Sequence, residues 1–91
     1  MTEAQIEKKV CDYAAKNYGW KNMKLSGSHD RGKPDRMFMR KGITVFVEFK
    51  SEGKMPSVLQ NKWLGDLREL GFRCTWVDNV ADGKRFFDSM K

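Results

Sequence analysis

The sequence predicts a single α/β domain, residues 1–91, in which helices lie on both faces of a mixed four-stranded sheet. Three observations predict this class. Some segments carry apolar residues at helical spacing, and the segments between them have the length and composition of strands. The two central strands are apolar on both faces, and such a sheet needs helices on both sides. Finally, 91 residues supply one modest core and leave no room for a second domain.

The first helix is predicted over residues 3–18. Thr2 and Gln5 have the spacing of a capping box, and Gly19 ends the helical pattern. The side of this helix that should face the sheet carries Ile6, Val10, Tyr13, Ala14 and Asn17.

A short strand is predicted next, where Met23 and Leu25 alternate with polar residues. Residues 27–34 are polar and contain glycine, so we expect a loop. His29 in this loop is the only histidine of the chain. We favour a surface position for it over a contact to phosphate or water.

The next two strands, residues 35–40 and 43–50, are predicted to form a hairpin around Lys41-Gly42. If these two residues are the whole turn, paired residue numbers sum to 83. Asp35 then faces Glu48, with the side-chain roots ~5 Å apart. A three-residue loop would instead send Asp35 to the opposite face.

The last part of the chain is predicted to add a helix, a strand and a helix. Pro56 suits the first turn of the second helix and Gly71 its end. Asp78 or Asn79 could cap the third helix. The apolar positions of these elements are Leu59, Trp63, Leu64, Leu67 and Leu70, then Phe72, Cys74 and Trp76, then Phe86, Phe87 and Met90. The predicted order is therefore α-β-β-β-α-β-α.

The charge of the chain is compatible with a polyanionic partner. The net charge is +6, and between Lys21 and Lys54 nine Lys and Arg residues stand against four acids. A concentrated basic region suits nucleic acid, although a solvated surface gives similar counts. Charge alone leaves these two explanations about equally favoured.

Several classes of protein are excluded. No apolar run approaches the ~20 residues of a membrane-spanning helix, and the N-terminal residues do not resemble a secretory signal. Cys11 and Cys74 are too few for a disulfide framework, so we expect reduced thiols in a cytoplasmic protein. One His and two Cys also argue against structural zinc. Any metal would need carboxylate ligands.

The facing pair Asp35 and Glu48 indicates a cation site. Two carboxylates ~5 Å apart repel by roughly 3 kcal/mol at an effective dielectric near 20. A divalent cation removes this cost, and magnesium takes oxygen ligands from one or two carboxylates plus phosphate and water. Lys50, two residues further along the same face, could hold a phosphate oxygen or the attacking water. Metal-assisted phosphodiester hydrolysis is the reaction that such a set supports.

Two motifs carry a resemblance to a known family. Gly32-Lys33-Pro34-Asp35, followed after twelve residues by Glu48-Phe49-Lys50, resembles the PD-(D/E)xK nuclease superfamily. The order of elements in its restriction-endonuclease-like core matches the order predicted above. Gln60, with Trp63, Leu67 and Gly71 behind it, is similar more narrowly to the VRR-NUC family, especially its short stand-alone members of phages and bacteria. The resemblance covers residues ~7 to 77.

The resemblance implies roles for particular residues. Asp35 and Glu48 would be ligands of Mg²⁺ or Mn²⁺, together with the backbone carbonyl of Phe49. Lys50 would be the catalytic lysine and Gln60 a supporting residue of the active site. The superfamily usually adds an acid from the first helix. Glu7 is the preferred choice because it borders the apolar stripe, and Glu3 competes with it.

The resemblance also implies a substrate and an assembly. Similar stand-alone proteins are homodimeric, structure-specific endonucleases that cut four-way (Holliday) junctions and leave 5′-phosphate and 3′-hydroxyl ends. The expected partners are therefore branched DNA and a second copy of the chain, in the cytoplasm of a bacterial or phage-infected cell. No small-molecule cofactor and no membrane are expected.

Plainer interpretations remain for several residues. Gln60 forms a capping box with Ser57, and Glu7 could be a solvated helix charge. Four basic residues near the motifs are candidates for nucleic-acid contacts: Arg31, Lys33, Arg36 and Lys54. The three tryptophans are expected in the core or a dimer contact.

Two other functions compete with the nuclease. One is a nucleic-acid-binding module that keeps the fold without the chemistry. The other is a regulatory protein whose basic face docks on an acidic protein.

Overall fold

A computed structural model describes residues 1–25 and 31–91 of the chain. Its elements are α1 (Glu3–Tyr18), β1 (Lys21–Lys24), β2 (Arg36–Arg40), β3 (Ile43–Phe49), α2 (Val58–Glu69), β4 (Arg73–Val77) and α3 (Val80–Asp88). The strands form one sheet in the order β1-β2-β3-β4, antiparallel except for the parallel pair β3 and β4. The predicted mixed four-stranded sheet and the order α-β-β-β-α-β-α are confirmed.

The central hairpin has the predicted register. Arg40 pairs with Ile43, and the ladder runs to the pair Arg36 and Val47. Lys41 and Gly42 both have positive φ, 50° and 77°, as a two-residue turn with the twist of a hairpin requires.

The hairpin ladder nevertheless ends one pair short of the prediction, because Asp35 lies just before β2. Pro34 has no N–H with which to extend the ladder. The Asp35 carboxylate instead accepts the hydrogen bond of the Phe49 N–H over 2.8 Å.

The sheet separates two apolar clusters, as the two-sided pattern predicts. The larger cluster lies between the sheet and helices α1 and α3, and it includes the fully buried residues Phe38, Val45, Val47, Phe49 and Phe87. The smaller cluster lies under α2 and contains Leu64, Leu67 and Cys74, with Phe46, Trp63 and Trp76 packed against it. Helix α2 therefore stands on the face that carries Phe46 and, two residues later, Glu48.

The ends of the helices follow local capping chemistry. Thr2 and Gln5 form the predicted capping box of α1. Helix α2 begins at Val58 after the cap residue Ser57, so Pro56 lies before the helix and its placement in the first helical turn was wrong. The Ser57 hydroxyl accepts the hydrogen bond of the Gln60 N–H over 3.1 Å. Proline has no side-chain oxygen and cannot cap a helix in this way.

The end of α2 lies where the sequence predicted it, and the structure decides between the two predicted caps of α3. Gly71 follows the α2 cap residue Leu70 with a φ of 96°. Of the two candidate caps for α3, Asn79 is the one that accepts the Asp82 N–H. Within residues 1–25 and 31–91, no helix is both long and apolar enough to cross a membrane.

Candidate active site

The two predicted metal ligands come together on the α2 side of the sheet. Glu48 lies near the end of β3 and is 3 % exposed. Asp35 is half-buried just before β2, where its bond to the Phe49 N–H holds it beside β3. The hairpin register thus brings both carboxylates to one place although the strand ladder stops before them.

Burial and the nearby acid both affect the carboxyl group of Glu48. Burial raises the pKa of the Glu48 carboxyl from 4.5 to about 7, and the negative charge of Asp35 contributes to the rise, while Lys50 opposes it. A carboxyl with this pKa is partly protonated at neutral pH. A divalent cation in place of this proton would neutralise the negative charges of Asp35 and Glu48 and so remove the repulsion between them.

The two oxygens of Glu48 have different surroundings. Oε2 accepts a hydrogen bond from Gln60 Nε2 over 2.6 Å and lies 3.4 Å from Lys50 Nζ. Oε1 is buried and has no hydrogen-bond partner among the residues that the structure describes. Leaving a buried carboxyl oxygen without a partner is costly, so such an atom in a polar site points to a missing ligand.

Gln60 has both of the roles that the sequence allowed. Its Oε1 accepts the Ser57 N–H over 2.8 Å, which completes the capping box of α2. Its Nε2 is left to bond Glu48. The cap is confirmed, whereas a part in catalysis stays a prediction.

The residues around Oε1 fit a hard divalent cation. Asp35 and Glu48 supply carboxylate oxygens, the ligand type that Mg²⁺ and Mn²⁺ prefer. Within the described part of the chain, no group of three or more His, Cys, Asp or Glu side chains could hold a metal. Two carboxylates suit an ion that keeps water and phosphate ligands, as Mg²⁺ does, and the Phe49 carbonyl stays a predicted ligand.

The structure places Glu7 in a different network. Glu7 is 7 % exposed and pairs with Arg36 Nε over 2.5 Å and with Lys24 Nζ over 3.8 Å. Arg36 follows Asp35 directly, and strand alternation turns it to the α1 face. A role for Glu7 in the site stays a prediction, and its observed contacts are to these two cations.

Glu3, the competing acid, lies close enough to the candidate site for the charges of Asp35 and Lys50 to act on it. Burial raises the pKa of the Glu3 carboxyl, and the neighbouring charge of Asp35 raises it further, while Lys50 lowers it. Glu3 and Glu7 are one helical turn apart, so the spacing of the apolar stripe does not decide between them.

The four predicted nucleic-acid contacts differ in availability. Arg31 and Lys54 are exposed, and Lys33 is half-buried two residues after Arg31. The Arg36 guanidinium is bonded to Glu7 and, over 2.8 Å, to Asn22 Oδ1. These bonds hold Arg36 between the sheet and α1. His29 lies outside the described residues.

Comparison with known proteins supports the architecture. No protein-family model matches the chain, and no curated protein matches it. A solved structure described as a VRR_NUC domain superposes with a TM-score of 0.86 over 100 % of both chains, at 22 % sequence identity. The chain therefore has the fold of that VRR_NUC domain.

Proposed function

We propose that the chain is a nuclease of the VRR-NUC family that hydrolyses DNA phosphodiester bonds with Mg²⁺ or Mn²⁺. The observation that carries the proposal is the buried Glu48 Oε1, which has no partner in the described residues and stands beside a second acid. The shared fold of a VRR_NUC domain and the basic charge of the chain support it.

In the proposed mechanism, Asp35, Glu48 and the Phe49 carbonyl would hold the metal. Bound Mg²⁺ or Mn²⁺ would supply polarisation of a phosphoryl oxygen and a lowered pKa of water. Gln60 keeps one carboxylate oxygen of Glu48 engaged over 2.6 Å, which leaves Oε1 directed to the site. This arrangement fixes the acid pair before substrate arrives.

Lys50 is the proposed catalytic lysine. Its side chain is 19 % exposed, and its Nζ lies 3.4 Å from Glu48 Oε2. From this position it can hydrogen-bond the attacking water or a phosphate oxygen. The water oxygen forms a bond to phosphorus in line with the departing 3′ oxygen, which yields 5′-phosphate and 3′-hydroxyl ends.

Branched DNA and a homodimer complete the proposal. Exposed Arg31 and Lys54, with Lys33, would contact the sugar-phosphate backbone. One chain carries one acid pair, so symmetric cutting of a four-way junction requires a two-fold partner. We also propose a cytoplasmic location, which suits the two free cysteines among the described residues, Cys11 and Cys74.

The decisive experiment incubates end-labelled duplex, flap, splayed and four-way DNA with Mg²⁺, Mn²⁺ or chelator. We expect metal-dependent cuts, strongest on branched substrates, and their loss in K50A and D35N. DNA binding without cleavage above a blank purified in parallel would favour the binding module. Salt-sensitive retention on DNA, with a log–log slope of several units, would count against the protein-docking alternative.

Oligomeric state is tested separately by light scattering, with and without junction DNA. A monomer under both conditions would contradict the homodimer while leaving the hydrolase itself to the cleavage assay.

A further inference from the structure

Helix α2 contacts the segment that precedes Asp35 through two features. Trp63 Nε1 donates a hydrogen bond to the Arg31 carbonyl over 3.0 Å, across 32 residues of sequence. Gly32 lies so close to α2 that a Cβ atom there would sit 2.7 Å from Leu59 Cγ and 2.9 Å from the Leu59 carbonyl carbon. Residues 31 and 32 are therefore held against the first two turns of α2.

The conformation of this segment depends on the close approach. Gly32 has a φ of 84°, which favours glycine, and the absence of a Cβ permits the contact with Leu59. Pro34 is buried and restricts the backbone between this contact and Asp35. Only residues 32–34 separate Arg31, which accepts the Trp63 hydrogen bond, from Asp35. A shift of the Arg31 backbone should therefore move the Asp35 carboxylate.

The same helix thus reaches both members of the acid pair. Gln60 bonds Glu48 directly, and Trp63, one turn later, bonds the segment that carries Asp35. We infer that Trp63 is a positioning residue for the proposed reaction: its indole N–H fixes the Arg31–Asp35 segment so that Asp35 stays beside Glu48. This inference rests on the proposed function.

The test replaces the indole by a ring without the N–H. Trp63→Phe keeps an aromatic side chain in the α2 cluster and removes the bond to Arg31. Trp76→Phe is the packing control, since Trp76 packs in the same cluster as Trp63 and pairs with Glu48 between β3 and β4. Mn²⁺ affinity is measured by calorimetry, cleavage by single-turnover kinetics, and backbone opening by amide hydrogen exchange over residues 31–35.

We expect Trp63→Phe to weaken Mn²⁺ binding and to slow the cleavage step by about three- to tenfold each, the effect of losing one hydrogen bond. The substrate concentration for half-saturation should stay within about twofold, and exchange in residues 31–35 should accelerate. Trp76→Phe should leave the exchange in residues 31–35 unchanged.

The outcomes separate the two proposals. If wild type cleaves and Trp63→Phe binds Mn²⁺ and cleaves as wild type does, the positioning role is refuted and the nuclease stands. Equal acceleration of exchange over residues 31–35 in Trp63→Phe and Trp76→Phe would refute it as well, because the effect would then reflect general packing. If wild type neither binds Mn²⁺ nor cleaves, the proposed function fails and the inference fails with it.

Discussion

Gln60 Nε2 donates a hydrogen bond to Glu48 Oε2 over 2.6 Å, and this bond joins the first turn of α2 to the buried end of β3. The other end of the same amide accepts the Ser57 N–H. One side chain therefore begins the helix and orients the acid. The two roles can be separated because they use different atoms.

Gln60→Glu should abolish most of the proposed nuclease activity with little effect on the cap. A carboxylate at this position can still accept the Ser57 N–H, but it replaces the donor to Glu48 by a third negative charge. We expect a loss of at least about tenfold in metal affinity, as for other residues that orient metal ligands. Ser57→Ala is the control: it should cost ~1 kcal/mol of stability while cleavage stays within about threefold. Similar cleavage by the two variants would contradict this separation.

Asp35→Asn should stabilise the metal-free protein at pH 8 while removing its response to metal. The amide oxygen can still accept the Phe49 N–H, and the repulsion from Glu48 is gone. We expect a gain of about 1–3 kcal/mol in the free energy of unfolding, measured with urea in the presence of chelator. Mn²⁺ should raise the melting temperature of wild type and leave that of the variant unchanged.

Asp66→Asn provides the control for this charge change. Asp66 is an acid on α2 whose side chain is largely exposed and pairs with Lys62, and its replacement should change stability by less than about 0.5 kcal/mol. The prediction would be contradicted if metal-free Asp35→Asn were less stable than wild type. Favourable contacts of the Asp35 carboxylate would then outweigh its repulsion from Glu48.

Glu48 makes the stability of the metal-free protein depend on pH. Its pKa is about 7 in the folded protein and near 4.5 in the unfolded chain. Between these values the folded state holds a proton that the unfolded state has lost, so the free energy of unfolding falls as pH rises from about 4.5 to 7. Above pH 7 the cost of the buried charge is complete, and below pH 4.5 it is absent.

The comparison of wild type with Glu48→Gln isolates this effect. Urea unfolding with chelator at pH 5, 6, 7 and 8 should show that the variant gains on wild type as pH rises. Mn²⁺ should bind wild type more tightly up to about pH 7, because binding displaces the Glu48 proton. Parallel stability curves for the two proteins would rule out a raised pKa at Glu48.

The position of the acid pair could be predicted because it depends on local rules. A two-residue turn at Lys41 and Gly42 determines the register, and alternation along the strands then places Asp35 and Glu48 on one face. The same alternation places Arg36 on the opposite face. The alternation could therefore have predicted that Arg36 pairs with Glu7 on the α1 side. Its position beside the motif instead placed Arg36 among the predicted DNA contacts.

Other features depend on packing between distant segments. The choice between Glu3 and Glu7 requires the rotation of α1 against the sheet, which an apolar stripe defines only to within a turn. The bond from Trp63 to the Arg31 carbonyl joins residues 32 positions apart, and Gly32 is its only local signal. In the sequence Gly32 is part of the Gly32-Lys33-Pro34-Asp35 motif. No neighbouring residue indicates that it also packs against α2.

Two helical glycines offer a test of the packing itself, because replacement by alanine should have opposite effects. Gly65 in α2 has no heavy atom of the described residues within 4 Å of the position that a Cβ atom would take, apart from its own helix and chain neighbours. Gly65→Ala should therefore stabilise the protein by up to about 1 kcal/mol through helix propensity. Gly83 in α3 is buried, and a Cβ there would clash with Val10 Cγ2 of α1 and lie 2.9 Å from Cγ1.

Gly83→Ala should destabilise the protein, since α1 and α3 must move apart to admit the methyl group. Overpacking of this kind costs typically about 1–3 kcal/mol, which exceeds the gain in helix propensity. Thermal and urea unfolding of the two variants measure the difference directly. If Gly83→Ala were as stable as Gly65→Ala, α3 would have to sit further from Val10 than the structure shows. Gly83→Ala combined with Val10→Ala should cost less than the sum of the two single changes, because the smaller side chain removes the methyl groups that clash.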